Sequence, residues 1–264
     1  MANKDIIVLK FGGASVASIE HFSKIAEIIL KKSVNNRVVV VVSAMGDTTD
    51  QLLSLARSVH PNPPPREQDM LISVGERISV ALLAMALDLL KKEAISFTGS
   101  QSGIITSSAH SMAYILDVRP QRILKALDAG KIAIVAGFQG VSKEGEITTL
   151  GRGGSDTTAV ALGVALGALK VEFYKDVEGV YSEDPKINPH ASLYPELSYE
   201  EAIQIVESGA KVLHSRCIKL ASKNNLPLHV LSFYDPDLLS YAGTLIGPRC
   251  RDKGGPYVFE GSEG

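Results

Sequence analysis

The groups best able to do chemistry cluster around Gly151-Arg152-Gly153-Gly154-Ser155-Asp156. Glycine lets backbone amides approach a ligand with no Cβ in the way. Ser155 and Asp156 suit a helix N-terminus, where free N–H groups and the helix dipole attract an anion. Arg152 adds a planar, permanently charged fork that matches a carboxylate or a phosphate. A second set, Lys10-Phe11-Gly12-Gly13, closes a short apolar run and puts a cation beside bare amides. Lys175-Asp176 and Lys211 supply further charges, and Glu76 is an acid set in an apolar stretch. Lys10 also reads as a strand-end lysine reaching solvent, and Glu76-Arg77 equally as an internal salt bridge.

Cations and amides outnumber acids in this set, as phosphoryl transfer requires, because its catalysis is mostly positioning and charge stabilisation. No histidine stands where it would serve as a general base. A hydroxyl acceptor needs help losing its proton, whereas a carboxylate is already ionised at neutral pH. A kinase acting on a carboxylate fits this composition. Two other phosphate-binding schemes are excluded: there is no Gly-x-x-x-x-Gly-Lys-Ser/Thr, and the third glycine of the dinucleotide fingerprint is missing after Gly153. The His-Arg-Asp and Asp-Phe-Gly elements of protein kinases are absent too.

The elements that must carry these loops are legible from the apolar pattern. Ile6 to Leu9, Val38 to Val42, Ile95 to Thr98, Ile132 to Ala136, Val171 to Tyr174 and Leu228 to Ser232 read as buried strands. The all-valine run is expected of a parallel strand covered on both faces. Helices are expected from Ile19, from Leu52 to Val59, from Met70 to Leu90, from Pro120 to Ala129 and from Thr157 to Leu166. Ser198-x-x-Glu201 is a capping box for another, and Lys211 to Asn224 reads as the last. His214 and Cys217 read there as packing residues. The alternation predicts a three-layer αβα sandwich with a mostly parallel sheet, its polar loops gathered at one edge.

With 264 residues, 45% of them hydrophobic, the chain can bury a large core. A net charge of −2 without a basic run argues against a nucleic-acid surface. No apolar run reaches membrane-spanning length without interruption, and the N-terminus lacks signal-peptide shape. Cys217 and Cys250 are too few for a disulfide framework and lack metal-ligand spacing, so a cytoplasmic protein with no metal site of its own is expected.

The ordered motifs Lys10-Phe-Gly-Gly-Ala-Ser-Val, Val42-Ser-Ala, Gly75-Glu76, Gly137-Phe-Gln-Gly, Thr148-Thr-Leu-Gly-Arg-Gly-Gly-Ser-Asp-Thr-Thr-Ala, Lys175-Asp-Val-x-Gly-Val-Tyr-Ser-x-Asp-Pro and Gly209-Ala-Lys-Val-Leu-His are similar to those of the aspartate kinases. That group belongs to the amino-acid kinase family. The resemblance runs from about Ile6 to Ile246, and the Gly-Arg-Gly-Gly-Ser-Asp stretch is its most specific part. It implies the amino-acid (carbamate) kinase fold over residues 1–247. An acceptor lobe would span about 1–140 and a nucleotide lobe about 141–247. The implied reaction moves the γ-phosphoryl group of ATP to the side chain of L-aspartate, giving 4-phospho-L-aspartate at the entry to lysine, threonine and methionine synthesis.

By the same resemblance Lys10 and Asp156 are catalytic, and Ser43, Thr48, Glu76, Arg152, Gly153 and Ser155 bind the acceptor. Lys10, Gly12, Gly13, Lys175, Asp176, Tyr181, Lys186 and Lys211 attend the nucleotide, and Mg²⁺ arrives with ATP. A homodimer through this domain is implied, without nucleic acid or membrane partners. Ala14, Lys186 and Ser215 depart from residues common in the group, but no charged group of the site is lost. Residues 248–264 read as a loose tail where the group normally continues into paired ACT domains, so this chain alone is expected to ignore lysine and threonine. Two rival readings remain: a related kinase with another acceptor, and a nucleotide-binding regulatory or storage protein that has lost catalysis.

Overall fold

The computed structural model describes residues 4–185, 187–234, 243–248 and 258–261. Lys186 and Cys250 lie outside them. Alternating apolar strands and helices build one sheet of eight strands covered on both faces. In chain order the strands are β1 (Ile6–Phe11), β2 (Arg37–Val42), β3 (Ala94–Phe97), β4 (Ile104–Thr106), β5 (Ile115–Val118), β6 (Ile132–Ala136) and β7 (Gln139–Ser142). They continue with β8 (Ile147–Thr149), β9 (Lys170–Lys175), β10 (Val180–Tyr181), β11 (Leu193–Tyr194), β12 (Glu196–Leu197), β13 (Leu228–Ser232) and β14 (Thr244–Ile246). The helices are α1 (Ile19–Ser33), α2 (Thr48–Val59), α3 (Pro65–Ile72), α4 (Val74–Leu89), α5 (Gln121–Asp128), α6 (Gly154–Ala165), α7 (Tyr199–Glu207) and α8 (Ser215–Lys223).

The main sheet runs β12-β14-β13-β9-β1-β2-β6-β3. Every pairing in it is parallel except β13 with β14. The valines of β2 show why it sits near the centre. Val38, Val40 and Val42 face the core shared with α1 and α4, while Val39 and Val41 face the core shared with α5, α6 and α8. A strand buried on both faces needs this unbroken apolar run. Two smaller sheets sit beside the main one: β5-β4-β7-β8, and the hairpin β10-β11.

Two sequence expectations about α3 and α4 are corrected. The helix expected from Met70 to Leu90 is two helices that meet at Ser73, whose carbonyl accepts from the Gln139 side chain at 2.8 Å. The whole stretch Pro65–Leu89 is long and apolar enough to cross a membrane by composition, yet α4 packs on β2, β3, β6 and α1. Glu76 and Arg77 form no salt bridge: Arg77 reaches Ser73 Oγ at 3.4 Å, and Glu76 accepts from the Ala44 amide at 3.2 Å. Successive residues on a helix point about 100° apart, so a charged pair at i and i+1 does not meet. Of the tail expected to be loose, residues 249–257 and 262–264 lie outside the described residues. Val258 exchanges two hydrogen bonds with the Asn224 side chain, and Glu260 exchanges two with the Ile115 backbone.

α8 begins at Ser215 rather than Lys211 because His214 caps it, its Nδ1 accepting from the Arg216 amide at 3.3 Å. Cys217 is buried, its thiol donating to the His214 carbonyl at 3.0 Å. Burial pushes that thiol well above the usual cysteine range, as befits a packing residue. The capping box of α7 forms as expected, with Glu201 N to Ser198 Oγ at 3.2 Å and Ser198 N to Glu201 Oε2 at 2.8 Å.

Candidate active site

Parallel strands deliver their carboxyl ends to one edge, and the polar loops gather there. Lys10 lies one residue from the end of β1, between β2 and β9, and is 4% exposed. Asp156 opens the first turn of α6, which packs on β1, β2 and β9. Their side chains meet as an ion pair of 2.5 Å, and Lys175 from the end of β9 approaches the other oxygen of Asp156 at 3.3 Å. Burial alone would raise the Asp156 pKa, but the two ammonium groups override it and hold the carboxyl at about 2. Burial pulls Lys10 below the usual lysine range against the attraction of Asp156. One carboxylate thus holds two cations side by side.

A cavity of ≈ 590 Å³ opens over this group. Lys10, Gly13, Ser43, Glu76, Arg152, Gly153, Ser155 and Asp156 all line it. Gly153, the residue before α6, takes φ 70°, and a Cβ there would stand 2.4 Å from His214. Only glycine fits that turn, which aims the first amides of α6 at the cavity. Gly75 has a related role, because a Cβ there would stand 2.8 Å from the Ala44 Cβ and push α4 off the loop after β2.

Glu76 differs from every other acid here. It is 3% exposed, one oxygen accepts from Ala44 N, and Oε2 has no partner among the described residues. Burial raises its pKa to about 7, partly opposed by the hydrogen bonds it accepts. Arg152 is exposed at the rim and makes no ion pair among the described residues. Thr48, expected in this pocket, does not line it; its methyl group faces Gly75, and the next residues, Thr49 and Asp50, turn inward instead. The sequence reading also missed Gln68, Ser111, Phe138 and Thr149, which complete the wall.

A second cavity has a volume of ≈ 830 Å³. It gathers Lys175, Asp176, Tyr181 and Lys211, with the α7 end around Ser208 and Gly209. Its size suits a nucleotide, and its lysines suit phosphates. Among the described residues no group of three or more His, Cys, Asp or Glu is arranged to hold a metal. A magnesium ion that enters on phosphate oxygens needs only one or two carboxylates, which Asp176 and Asp184 in this cavity can supply. Gly12 belongs to neither wall, but a Cβ there would stand 3.4 Å from Lys10 Nζ.

A doubly covered, mostly parallel sheet with a glycine-lined cation site at its carboxyl edge defines an α/β domain built to bind anionic ligands at that edge. The family model described as "Amino acid kinase family" matches residues 5–232, and the chain belongs to that family. Among individual proteins it is similar to an aspartokinase of Mycolicibacterium smegmatis, 54% identical over 87% of this chain and 55% of that one. Its fold superposes on aspartate kinase from Synechocystis with TM-score 0.81 and 42% identity, covering 94% of this chain and 40% of the other. It superposes on E. coli aspartokinase III, solved with aspartate and ADP, with TM-score 0.83 and 28% identity, covering 94% and 66%. The chain spans little more than half the length of the curated relatives it matches.

Proposed function

We propose that this domain transfers the γ-phosphoryl group of ATP to the side-chain carboxylate of L-aspartate. One observation carries the choice of acceptor: a buried carboxylate oxygen without a donor, Glu76 Oε2, opens on the same cavity as the unpaired guanidinium of Arg152 and the ammonium of Lys10. An α-amino acid presents the complement, a carboxylate for Arg152 and an ammonium for Glu76. N-acetylglutamate and uridylate lack that free ammonium and would leave the Glu76 oxygen unmatched. The named relatives support the same reading.

In this scheme the acceptor binds with its side-chain carboxylate toward Lys10 and the nucleotide binds in the cavity that Lys175 lines. The acceptor oxygen attacks the γ-phosphorus as the bond to the β–γ bridging oxygen breaks, and the charge leaves on ADP. No proton has to be removed, because the nucleophile is already an anion. Lys10, the Gly13 amide and the first amides of α6 stabilise charge on the transferred group. Asp156 keeps Lys10 and Lys175 together against their mutual repulsion. Gly12, Asp176, Tyr181 and Lys211, and Lys186 if it reaches the site, attend the nucleotide with its Mg²⁺.

The assignment of an acceptor lobe and a nucleotide lobe, on either side of the junction between β1 and β9, follows from the same scheme. So do the cytoplasm as location and a place at the start of lysine, threonine and methionine synthesis. A homodimer fits the apolar stripe Val74, Ile78, Met85 and Leu89 along the exposed face of α4. Light scattering of the chain at micromolar concentration tests it, and a monomer near 28.2 kDa removes it. The activity is tested by ADP release with L-aspartate, L-glutamate, N-acetylglutamate and uridylate. Turnover with aspartate alone is expected, and turnover only with another acceptor replaces the reading.

A further inference from the structure

Seven residues before Glu76, across the α3–α4 junction, stands another acid that the scheme above does not use. Asp69 is 0% exposed. Its carboxylate accepts from Thr149 Oγ1 at 2.6 Å, Thr149 N at 3.1 Å, Ser111 N at 2.9 Å and Ser111 Oγ at 3.4 Å. His110 Nδ1 stands 2.9 Å from its second oxygen. These donors come from two chain segments, 41 to 80 residues away, that the fold brings together.

A buried carboxylate is costly unless nearly all its acceptor sites are filled, and a hydrophobic residue would pack an α3 position more cheaply. What the charge does is grip. Thr149 immediately precedes Leu150 and the Gly151-Arg152 turn. Ser111 lines the acceptor cavity with φ 66°, a backbone shape that a residue with a side chain keeps only when held. The held segment is packed against the turn: a Cβ at Gly151 would stand 3.2 Å from the Ser111 carbonyl and 2.7 Å from Met112 Sδ. The Ala113 amide ties the same segment to the Thr149 carbonyl at 2.9 Å. Gln68, the neighbour of Asp69, lines the cavity and donates to Ser111 Oγ at 3.4 Å.

We propose that Asp69 is a positioning residue for acceptor recognition: by clamping Ser111 to Thr149 it fixes the Gly151-Arg152 turn against the acceptor cavity. It touches neither substrate and acts through Thr149 and Ser111. This rests on the reading of Arg152 as the clamp for the acceptor's α-carboxylate. Asp69→Asn replaces one acceptor by an NH₂ group that faces donors, while keeping shape. Thr149→Val removes only the shortest contact and serves if Asp69→Asn does not fold.

The first measurement is the Michaelis constant for each substrate in the full chain. In a variant that melts cooperatively, the constant for aspartate is expected to rise roughly 10–100-fold, while that for ATP stays within about twofold. Equal rises for both substrates, or no change in either, overturn the proposal. The second measurement needs no reaction: trypsin cleavage after the exposed Arg152, followed by mass spectrometry. Cutting at that bond is expected to quicken at least about tenfold in the variant relative to cutting at the other exposed basic sites. If the wild-type chain does not phosphorylate aspartate, the acceptor reading fails while this second result still decides the role of Asp69. An unchanged rate at Arg152 in a folded variant overturns it.

Discussion

The two cavities, linked through the Lys175–Asp156 contact, are built on different principles. On the acceptor side three charges are buried, Lys10, Glu76 and Asp156, each on a strand end or a helix turn, and only Arg152 among the proposed site charges of that side is exposed. On the nucleotide side Asp176, Asp184 and Lys211 are exposed and lie on loops after β9, after β10 and before α8. Preorganised charge stabilises a transition state because it does not have to reorient as the reaction proceeds, and that matters most where charge develops. The nucleotide brings much of its affinity in its own phosphates and base, so its contacts can be ordered on binding. In the proposed scheme the acceptor cavity would then carry the chemistry and its selectivity, and the nucleotide cavity would carry affinity.

The most damaging test of that contrast is removal of Lys10. Lys10→Met keeps the stem and deletes the buried charge paired with Asp156 in the first cavity. The expected loss in kcat is about 10²–10³, the usual consequence of deleting one preorganised group. Michaelis constants should move far less. A folded Lys10→Met protein with near wild-type turnover would show that the buried ion pair is structural.

Next in size is a reciprocal pair. Arg152→Lys should raise the Michaelis constant for aspartate about tenfold or more and leave ATP nearly untouched, because a point charge cannot reproduce a bidentate fork. Lys211→Ala should do the opposite. If both variants weaken both substrates, the two cavities are not separable in the way their burial suggests.

The third test uses pH. Glu76 must be ionised to receive an ammonium group, and its pKa in the empty site is about 7. The ratio kcat/KM for aspartate should then fall as pH drops below 7, by about tenfold per unit in the limit of a single titrating group. In Glu76→Gln that limb should vanish while the plateau also drops. A limb that survives the substitution belongs to another group.

How much of this could be read beforehand depends on whether the signal was local. Lys10, the glycines around Arg152, and Asp156 announce themselves because strand, turn and helix start are adjacent in sequence. Thr48 was misplaced relative to Thr49 because one residue at a helix start rotates a side chain by about 100°. The helix break at Ser73 left no sequence mark, since no Gly or Pro stands there. Asp69 was invisible for a different reason. A lone acid in an apolar helical pattern reads as solvent-facing, and all its partners lie in segments that only the tertiary fold brings together.

The smallest expected effect is on stability, and it separates the two buried acids of the acceptor cavity by sign. Asp156 has its folded pKa lowered from 3.8 to about 2, so the stability it contributes is present above pH 3.8 and is lost as pH falls toward 2. Glu76 has its folded pKa raised from 4.5 to about 7, so its contribution is complete below pH 4.5 and is lost as pH rises through 7. At pH 8 the ligand-free protein therefore holds a desolvated carboxylate with one unmatched oxygen, and Glu76→Gln removes that charge without changing shape. Its melting temperature should exceed the wild type by on the order of 2–4 °C at pH 8, with the gap closing by pH 4.5. Saturating aspartate should reverse the order at pH 8, because only the wild-type carboxylate can pair with the ammonium group. A Glu76→Gln protein less stable than wild type at pH 8 without ligand would mean that the Glu76 charge is already compensated within the fold, and would remove the argument that this oxygen waits for an amino group.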